Sequence, residues 1–511
     1  MAAVLVTTAA CGSSNTTPSS SSSPPTYTAG TYPPSSSLIN QCATPRTGND
    51  PVTGTAYPDQ PGSTMAENMF LRSWTNELYL WYHEVPDTNP AGYATADYFN
   101  LLKTSATTPS GHPKDKFHFT YVTTDWESLS QSGVSAGYGA QFAVVAGSPP
   151  RQVVVAFTDP NTPATAANLA RGAEILTVDG VDVVNGSDTT TLNNGLFPTA
   201  AGQTHSFSVQ DLGSSAPRTI SMTSANVTET PVQNVTTIQT RAGNVGYMLF
   251  NDHIATAEQL LVNGFTQLSS SGVSDLVLDI RYNGGGYLDI ASEVAYMIAG
   301  PGPTTGKTFD RTVFNDKYPN TDPVQNQPLT PTPFHNTAQG FSVPNGQALP
   351  SLNLSRVTVL TSSGTCSASE AIINSLRGVG IEVIQVGSTT CGKPYGFYPQ
   401  PNCGTTYFSI QFQGLNNQGF GDYPDGFSPA NGGGGGVSVP GCGVADDYTH
   451  ALGDPNEARL AAALGYLADG SCPAASASAA SRQGRAPLSA APDGELNRGP
   501  WRENRILRRP H

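Results

Sequence analysis

The spacing of apolar residues divides the chain into three patterned regions. In the first, over residues 68–82, large apolar side chains recur at helical spacing and the run stops before Pro86, which predicts a helix. A second helix is predicted over Ala94–Leu102, and Lys116–Val122 alternates like a strand. We interpret the many aromatic side chains here as a packed helical face rather than a ligand cage. Residues 61–130 are therefore predicted to form a small N-terminal helical region.

The second region, residues 131–230, is rich in short β-strand patterns. Val153–Phe157 and Ser206–Val209 are the clearest strands. Between them, residues 163–180 predict a short helix, a strand and an Asp-Gly turn. This pattern predicts a separate small β-rich domain.

The third region, residues 231–470, alternates continuous apolar runs with helices. Val245–Phe250 and Asp275–Ile280 read as strands, with a helix over 255–268 between them. Strands that are apolar at consecutive positions are typical of a buried, mostly parallel sheet. The Pro-, Thr- and Asn-rich segment 301–352 interrupts this pattern and is either a functional insert or a surface excursion. The predicted fold class is α/β, in several domains.

Both ends of the chain lack the residues that build a core. Residues 1–60 are rich in Ser, Thr, Pro and Gly and are predicted to be a disordered linker, and residues 471–511 a disordered basic tail. Met1–Cys11 resembles the end of a bacterial lipoprotein signal peptide. We therefore expect a lipidated Cys11 and an exported protein of the bacterial periplasm or cell envelope, attached to the membrane by that lipid.

Composition narrows the function further. The net charge is −14, from 24 basic and 38 acidic residues, which argues against nucleic acid as a partner. No apolar run reaches the roughly 18 residues that a membrane-spanning helix needs. The charged fraction of 12%, with 53 glycines and 41 prolines, favours an exported, loop-rich protein.

The cysteines predict disulfides. Six of the seven remain if Cys11 carries a lipid, and an even number in an exported chain favours pairing. The first pairs to consider are Cys403 with Cys442 and Cys42 with Cys472. A zinc site is disfavoured because no two cysteines have the short spacing of zinc ligands. No metal or organic cofactor is predicted.

Candidate chemistry is concentrated between residues 358 and 393. An apolar strand ends in small residues at Ser367, and helix formers follow from Glu370, so the serine lies at the start of a helix. A second apolar strand, 382–386, leads to Lys393 on a glycine turn. A serine hydroxyl needs a base to become a nucleophile, and lysine can act as that base in its neutral form, which apolar surroundings favour. These residues predict a catalytic Ser367–Lys393 pair.

A glycine-rich turn, Arg281–Gly286, follows the strand at 275–280. Three consecutive glycines allow close backbone approach and leave amides able to face an anion. A phosphate-binding loop is disfavoured because no Gly-Lys-Ser/Thr follows. An amide of this turn, together with that of Ala368, could stabilise the oxyanion of an acyl-transfer reaction.

These motifs together resemble the C-terminal processing peptidases, also called tail-specific proteases. The resemblance lies in Ser367–Glu370, in Gly392–Lys393 and in the turn Asp279–Gly286, and it extends from about Phe70 to Leu467. It implies a crotonase-like αββ protease core, with Ser367 as nucleophile, Lys393 as base and Glu370 as a supporting partner. It also implies oxyanion amides from Gly285 and Ala368. Cys391 stands where the family commonly has an aromatic residue.

Residues 131–230 resemble a PDZ domain, through the pattern Leu169-x-Arg171-Gly172-x-x-Ile175. In that family a glycine-containing loop binds a peptide's terminal carboxylate while the peptide adds to an open sheet edge. By this resemblance the loop is Tyr138-Gly139-Ala140. The implied partner is the C-terminus of a polypeptide substrate.

The predicted function is therefore that of a serine endopeptidase that cleaves exported proteins near their C-termini. The alternative is an inactive scaffold that binds C-terminal tails. Three other residues compete for catalytic roles, namely Ser369 or Cys366 as nucleophile and His118 as base. Cys366 and Cys391 flank the predicted pair and form either a disulfide or two buried thiols.

Overall fold

The computed structural model describes residues 25–473, 495–496 and 504–506. Cys11 lies outside these residues. Within them, no helix combines the length and apolar character needed to cross a membrane. The predicted mixed α/β, multidomain fold class is confirmed.

The N-terminal part packs three helices and short strands against the rest of the chain. Its elements are β1 (Gln41–Cys42), β2 (Gln60–Pro61), α1 (Thr64–Leu78), α2 (Thr95–Leu101), β3 (Phe119–Val122) and α3 (Thr123–Glu127), with 3-10 turns at Ser35–Ser37 and Tyr82–Glu84 and a π turn at Ser128–Ser132. Ser63 caps α1 by accepting the N–H of Ala66 at 3.2 Å.

The prediction of a disordered linker over residues 1–60 is wrong for 25–60. Cys42 is bonded to Cys403, and Arg46 forms an ion pair with the buried Asp59 at 2.8 Å. A covalent link to the core and local ion pairing order a segment whose composition alone could not.

The second module is built on an antiparallel sheet. Its elements are β4 (Val134–Gly137), β5 (Ala140–Ala146), β6 (Gln152–Thr158), α4 (Pro163–Ala166), β7 (Glu174–Val178), β8 (Val181–Asp182), α5 (Thr189–Leu196), β9 (Thr204–Gln210), β10 (Arg218–Thr223) and β11 (Ala225–Thr228). Within it the strand order is β10-β9-β7-β6-β5, so β5 forms the edge of this module's own sheet; β8 pairs with β7, and β11 with β4.

The remaining elements form the largest module and the C-terminal strands. They are β12 (Val232–Thr240), β13 (Gly243–Phe250), α6 (Ala257–Ser270), β14 (Asp275–Asp279), β15 (Gly285–Tyr287), α7 (Leu288–Ala299), α8 (Pro301–Thr304), β16 (Thr308–Val313), β17 (Thr321–Asp322), β18 (Gln327–Pro328), β19 (Thr332–Pro333), β20 (Arg356–Thr361), α9 (Ala368–Gly378), β21 (Glu382–Gly387), β22 (Tyr395–Gly396), β23 (Gln400–Asn402), β24 (Thr405–Phe408), β25 (Phe412–Leu415), β26 (Phe427–Pro429), β27 (Val437–Val439), β28 (Gly441–Gly443), α10 (Ala458–Asp469), β29 (Glu495–Leu496) and β30 (Asn504–Ile506).

A six-stranded sheet organises this module, in the order β12-β13-β14-β20-β21-β28. The β12–β13 pair is antiparallel and the other four pairs are parallel. The continuous apolar runs predicted this mostly parallel sheet. Alternate strand residues face opposite sides: Met248 and Leu278 pack with α6, α7 and α9, whereas Tyr247 and Val277 pack with α10 and strands of the second module. The carboxyl ends of β14, β20 and β21 lead into the three turns that carry the candidate chemistry.

The segment 301–352 packs on the core through a buried carboxylate. Glu258 of α6 accepts the N–H groups of Gln339, Gly340, Ser342 and Val343 at 2.6–3.1 Å. Four hydrogen bonds to one fully buried side chain fix this part of the insert against α6.

Two predicted disulfide pairs are wrong. Cys42 pairs with Cys403, and Cys442 pairs with Cys472, with Cα atoms 5.4 Å apart in each bridge. The fold brings Cys472, after α10, beside β28 rather than beside the N-terminal segment. The hypothesis of a Cys366–Cys391 disulfide is confirmed.

The prediction of a disordered tail over 471–511 is wrong at two places. Strand β29 pairs with β5, and β30 pairs with β15. Open sheet edges therefore receive short pieces of a segment with few core-forming residues.

Candidate active site

Ser367 lies at a sharp turn between β20 and α9. Its backbone has φ 59° and ψ −112°, a conformation that non-glycine residues rarely adopt, and α9 begins at the next residue. The side chain is fully buried at the N-terminus of α9. The turn therefore presents a buried hydroxyl at the start of a helix.

Glu370 joins the turn that carries Ser367 (the serine turn) to the turn that carries Lys393 (the lysine turn). Its Oε2 accepts the N–H of Ser367 at 2.9 Å and that of Lys393 at 2.7 Å. Its Oε1 accepts the N–H of Gly392 at 2.8 Å and the hydroxyl of Thr390 at 2.5 Å. Burial raises the pKa of Glu370, and these hydrogen bonds oppose the shift.

Lys393 is fully buried beside aromatic rings. Its Nζ lies 4.6 Å from the ring centroid of Phe117 and 4.9 Å from that of Phe397. The residue before it, Gly392, has φ +81°, and a Cβ there would lie 2.2 Å from the carbonyl oxygen of Pro424. Only glycine fits this turn, so the Gly-Lys motif has a steric reason.

The disulfide between Cys366 and Cys391 links the same two turns. Cys366 immediately precedes Ser367, Cys391 lies two residues before Lys393, and their Cα atoms are 5.1 Å apart. The sulfurs and the Glu370 carboxylate lie within 4.8 Å of one another, a spacing that a metal could use. Because both sulfurs are in the disulfide, neither offers the thiolate that a metal ligand requires.

The glycine turn is fastened to the serine turn by Asn283. The carbonyl of Asn283 accepts the N–H of Cys366 at 3.1 Å and the hydroxyl of Ser369 at 3.0 Å. Its side-chain Oδ1 accepts the N–H of Gly285 at 2.9 Å. The predicted oxyanion donor Gly285 is thus adjacent to the serine turn, with its amide engaged by Asn283.

Ala368 is the first residue of α9. An amide at this position has no carbonyl one turn earlier in the helix to accept it. The position of Ala368 is therefore compatible with the predicted donor role.

His253 is a buried neighbour of the glycine turn that the sequence did not reveal. Its Nδ1 lies 2.9 Å from Oδ1 of Asn283, and its backbone N–H donates to the carbonyl of Gly285 at 3.1 Å. Burial lowers the pKa of His253 to about 3, so the imidazole is neutral at pH 7. The signal available in the sequence was a histidine placed shortly after strand β13, which is weak by itself.

The competing catalytic residues are occupied in other ways. The Ser369 hydroxyl donates to Asn283, and Cys366 is in a disulfide. His118 stacks on Phe99 with centroids 3.8 Å apart, and its Nε2 lies 2.9 Å from the Phe99 carbonyl. Burial lowers the pKa of His118 to about 4. These contacts favour packing roles for the histidine and Ser369.

The predicted carboxylate loop lies directly before strand β5. The carbonyl of Tyr138 accepts the N–H of Ala164 at 2.9 Å, and that of Gly139 accepts the N–H of Asp159 at 2.7 Å. Gly139 has φ +74°, and a Cβ there would lie 2.4 Å from the side chain of Thr162. Ala140 begins β5, so the loop leads directly into the edge of the second module's sheet.

Comparison with known proteins gives one family match and several relatives. Residues 244–399 match the model of peptidase family S41. A carboxyl-terminal-processing protease of Picosynechococcus sp. is 28% identical over 271 residues, which cover 52% of this chain and 56% of that protein. A chloroplastic C-terminal processing peptidase of Tetradesmus obliquus is 29% identical over 274 residues, covering 51% of this chain and 52% of that protein. The chain spans about half the length of the curated relatives it matches.

A solved structure shows the same fold. It is a candidate S41 protease of Bacteroides fragilis, with a TM-score of 0.58 and 22% identity, covering 81% of this chain and 98% of that one. The predicted resemblance to the C-terminal processing peptidases is confirmed by the family match and the curated relatives. Over residues 244–399 the chain is therefore similar to peptidase family S41.

Proposed function

We propose that the chain is a serine endopeptidase that cleaves polypeptides near their C-termini through Ser367 and Lys393. The proposal is carried by one observation at the Glu370 carboxylate. One of its two oxygens, Oε2, accepts the backbone N–H groups of both Ser367 and Lys393. Two residues from different turns are in this way held around one buried atom. Positioning of this kind is what a nucleophile and its base require.

In the proposed reaction the Ser367 hydroxyl attacks the carbonyl carbon of the scissile peptide bond. Neutral Lys393 takes the hydroxyl proton and then delivers it to the departing amine, which leaves an acyl-enzyme. Water hydrolyses this ester, with Lys393 again acting as base. Lys393 is fully buried beside the aromatic rings of Phe117 and Phe397, which keeps its amine away from bulk water.

The oxyanion of the tetrahedral intermediate needs aligned N–H donors. We assign one to Ala368, at the first position of α9, and one to Gly285. Because the Gly285 amide is bonded to Asn283, its use requires that this bond be exchanged when the oxyanion forms. Each such donor is typically worth about 3 kcal/mol of transition-state stabilisation.

We further propose that residues 131–230 act as a PDZ domain, with Tyr138, Gly139 and Ala140 binding the substrate C-terminus. The support is the position of this loop at the start of β5, on which strand β29 adds antiparallel. Strand addition to an open edge is the way PDZ domains bind peptides. The three disulfides support export, because such bonds persist outside the reducing cytosol.

A serine-reactive covalent probe tests the catalytic assignment. We expect labelling of the wild-type protein and none of Ser367→Ala. Ser369→Ala is the matched control, two residues further along the chain, and should keep the label. Lys393→Met should lower peptide hydrolysis by at least about 10³-fold, in the range seen when a catalytic group is removed.

Two outcomes would contradict the assignment. Normal turnover by Lys393→Met would remove lysine as the base. Absence of labelling in every variant, with retained binding of C-terminal peptides, would favour the alternative function of an inactive scaffold that binds tails.

A further inference from the structure

The C-terminal strand β30 lies against the candidate active site. It pairs parallel with β15, aligning Asn504 with Gly285 and Ile506 with Tyr287. Strand β15 is the second half of the glycine turn, which Asn283 fastens to the residue before Ser367. In the described part of the chain, β15 and β30 form a sheet of their own. The tail therefore fills an edge beside the nucleophile.

Strand β30 also contacts the segment that follows Lys393. Ile506 forms a parallel bridge with Phe397, whose ring lies 4.9 Å from Nζ of Lys393. Strand β30 also contacts β22 and helix α9, which starts immediately after Ser367. The three tail residues thus lie between the turn assigned to the oxyanion and the segment that follows the assigned base.

The side chain of Ile506 is only 2% exposed. It packs in an apolar cluster that includes Cys366, Tyr395, Phe397, Phe408 and Trp126. Cys366 is joined to Ser367, and Phe397 faces Lys393, so an aliphatic side chain occupies a pocket formed by neighbours of both catalytic residues.

A segment of the tail that precedes β30 in the chain contacts the second module. Glu495 and Leu496 pair antiparallel with Val144 and Ala143 of β5. In this register the tail runs along β5 towards Gly139, as a bound peptide would run towards the carboxylate loop. The tail consequently pairs with a strand edge on each of the two modules.

We propose that the chain's own C-terminal tail is an intramolecular ligand of the peptidase cleft, occupying the position of a substrate strand and excluding polypeptides from it. The pocket of Ile506 is the subsite that recognises an aliphatic side chain. This inference rests on the proposed peptidase function for its consequence, although the binding of the tail does not depend on catalysis.

A binding measurement tests the occupancy without relying on turnover. The probe is a fluorescein-labelled synthetic peptide of residues 494–511, added to full-length protein. In Ser367→Ala the resident tail competes with the peptide, whereas in Ser367→Ala/Ile506→Asp the resident tail carries a charge that the apolar pocket rejects. We expect the double variant to bind the peptide at least about tenfold more tightly, because an aliphatic contact of this size is worth that factor or more.

Two controls isolate the subsite. Leu212→Asp in the Ser367→Ala background makes the same kind of change at a side chain that is 47% exposed, and should leave peptide binding as in Ser367→Ala. A probe peptide with aspartate at the position of Ile506 should bind neither protein. Ile506→Ala replaces Ile506→Asp if the charged variant has a lowered melting temperature, and equal affinities of its double variant and Ser367→Ala would overturn the proposal.

Hydrolysis of fluorescein-labelled casein then separates this proposal from the proposed function. Ile506→Asp in the otherwise wild-type chain should raise kcat/KM about tenfold, with Leu212→Asp unchanged. No hydrolysis by any variant, together with the tenfold difference in peptide binding, would refute the peptidase function and keep the tail site. Hydrolysis at equal rates, with equal peptide binding, would keep the function and refute the tail site.

Discussion

At the scale of single residues, the side chain of Glu370 connects the two turns of the candidate site. Its two oxygens accept three backbone N–H groups and one hydroxyl from residues on two turns. Water cannot readily replace Glu370 as their acceptor, because the residues that carry these donors are themselves buried. We therefore propose that Glu370 positions Ser367 and Lys393 and takes no part in proton transfer.

Glu370→Gln tests this role. The variant places an NH₂ group where one oxygen accepts two hydrogen bonds, so donors face donors and both turns shift. We expect kcat to fall about 100-fold, the effect typical of a misplacement near 1 Å, with a much smaller change in KM. Glu382→Gln, at an exposed position, is the control. An unchanged kcat in a folded Glu370→Gln protein would contradict the positioning role.

At the scale of elements, the sequence predicted the sheet better than it predicted the connections. Strand β14 and helix α6 before it were predicted to within a few residues, because continuous apolar runs and helical spacing report burial directly. The Ser367–Glu370 and Gly392–Lys393 motifs placed the two turns, and the structure links them through Glu370. The local sequence pattern was therefore sufficient to predict strands and helices whose own residues are continuously or periodically apolar.

The features that the sequence did not predict are contacts between residues far apart in the chain. Cys42 and Cys403 are separated by 361 positions, and their pairing depends on how the N-terminal segment crosses the core. The polar pair of His253 and Asn283 arises because β13 and β14 are neighbouring parallel strands whose following turns meet. Strands β29 and β30 are held by edges that other segments supply. Composition cannot show which edges remain open.

Helices α6 and α7 meet at a buried pair of carboxyl groups. Glu258 and Glu293 are fully buried, and both accept the N–H of Gln339 at 2.8 Å. Burial, followed by the nearby charge of Glu258, raises the pKa of Glu293 from 4.5 to about 9. The folded protein therefore holds a proton on Glu293 at pH values where the unfolded chain has lost it.

This arrangement predicts a stability that depends on pH. Because the folded state binds the extra proton, the contribution of Glu293 to the free energy of unfolding is present below about pH 4.5 and is lost as the pH rises towards 9. Glu293→Gln removes the titration, so its free energy of unfolding should fall by about 4 kcal/mol less between pH 5 and pH 8 than that of the wild type. Urea unfolding at both pH values measures the difference. Parallel pH dependences of the variant and wild type would contradict it, with Glu382→Gln as the exposed control.

At the scale of the whole molecule, a buried ionic network joins the second module to the largest module. Arg171, between α4 and β7, donates to Asp446 at 2.7 Å, to the Tyr282 hydroxyl at 2.7 Å and to the carbonyl of His450 at 3.0 Å. Arg281, at the end of β14, donates to the same Asp446 at 2.7 Å. Burial opposes the ionisation of Asp446, but the guanidinium groups of both arginines outweigh it and hold its pKa well below the usual range.

The network should make the two modules unfold together. Arg171→Met keeps much of the apolar volume but leaves Asp446 with fewer partners, and the loss of one member of a buried pair costs about 3–5 kcal/mol. We expect the free energy of unfolding to fall by about 3 kcal/mol, or the single unfolding transition to split into two as the modules separate. Arg218→Met is the matched control, because the Arg218–Asp211 pair is about one third exposed and should contribute at most about 1 kcal/mol. Equal stabilities of the two variants, each with one transition, would show that Arg171 does not stabilise the contact between the two modules.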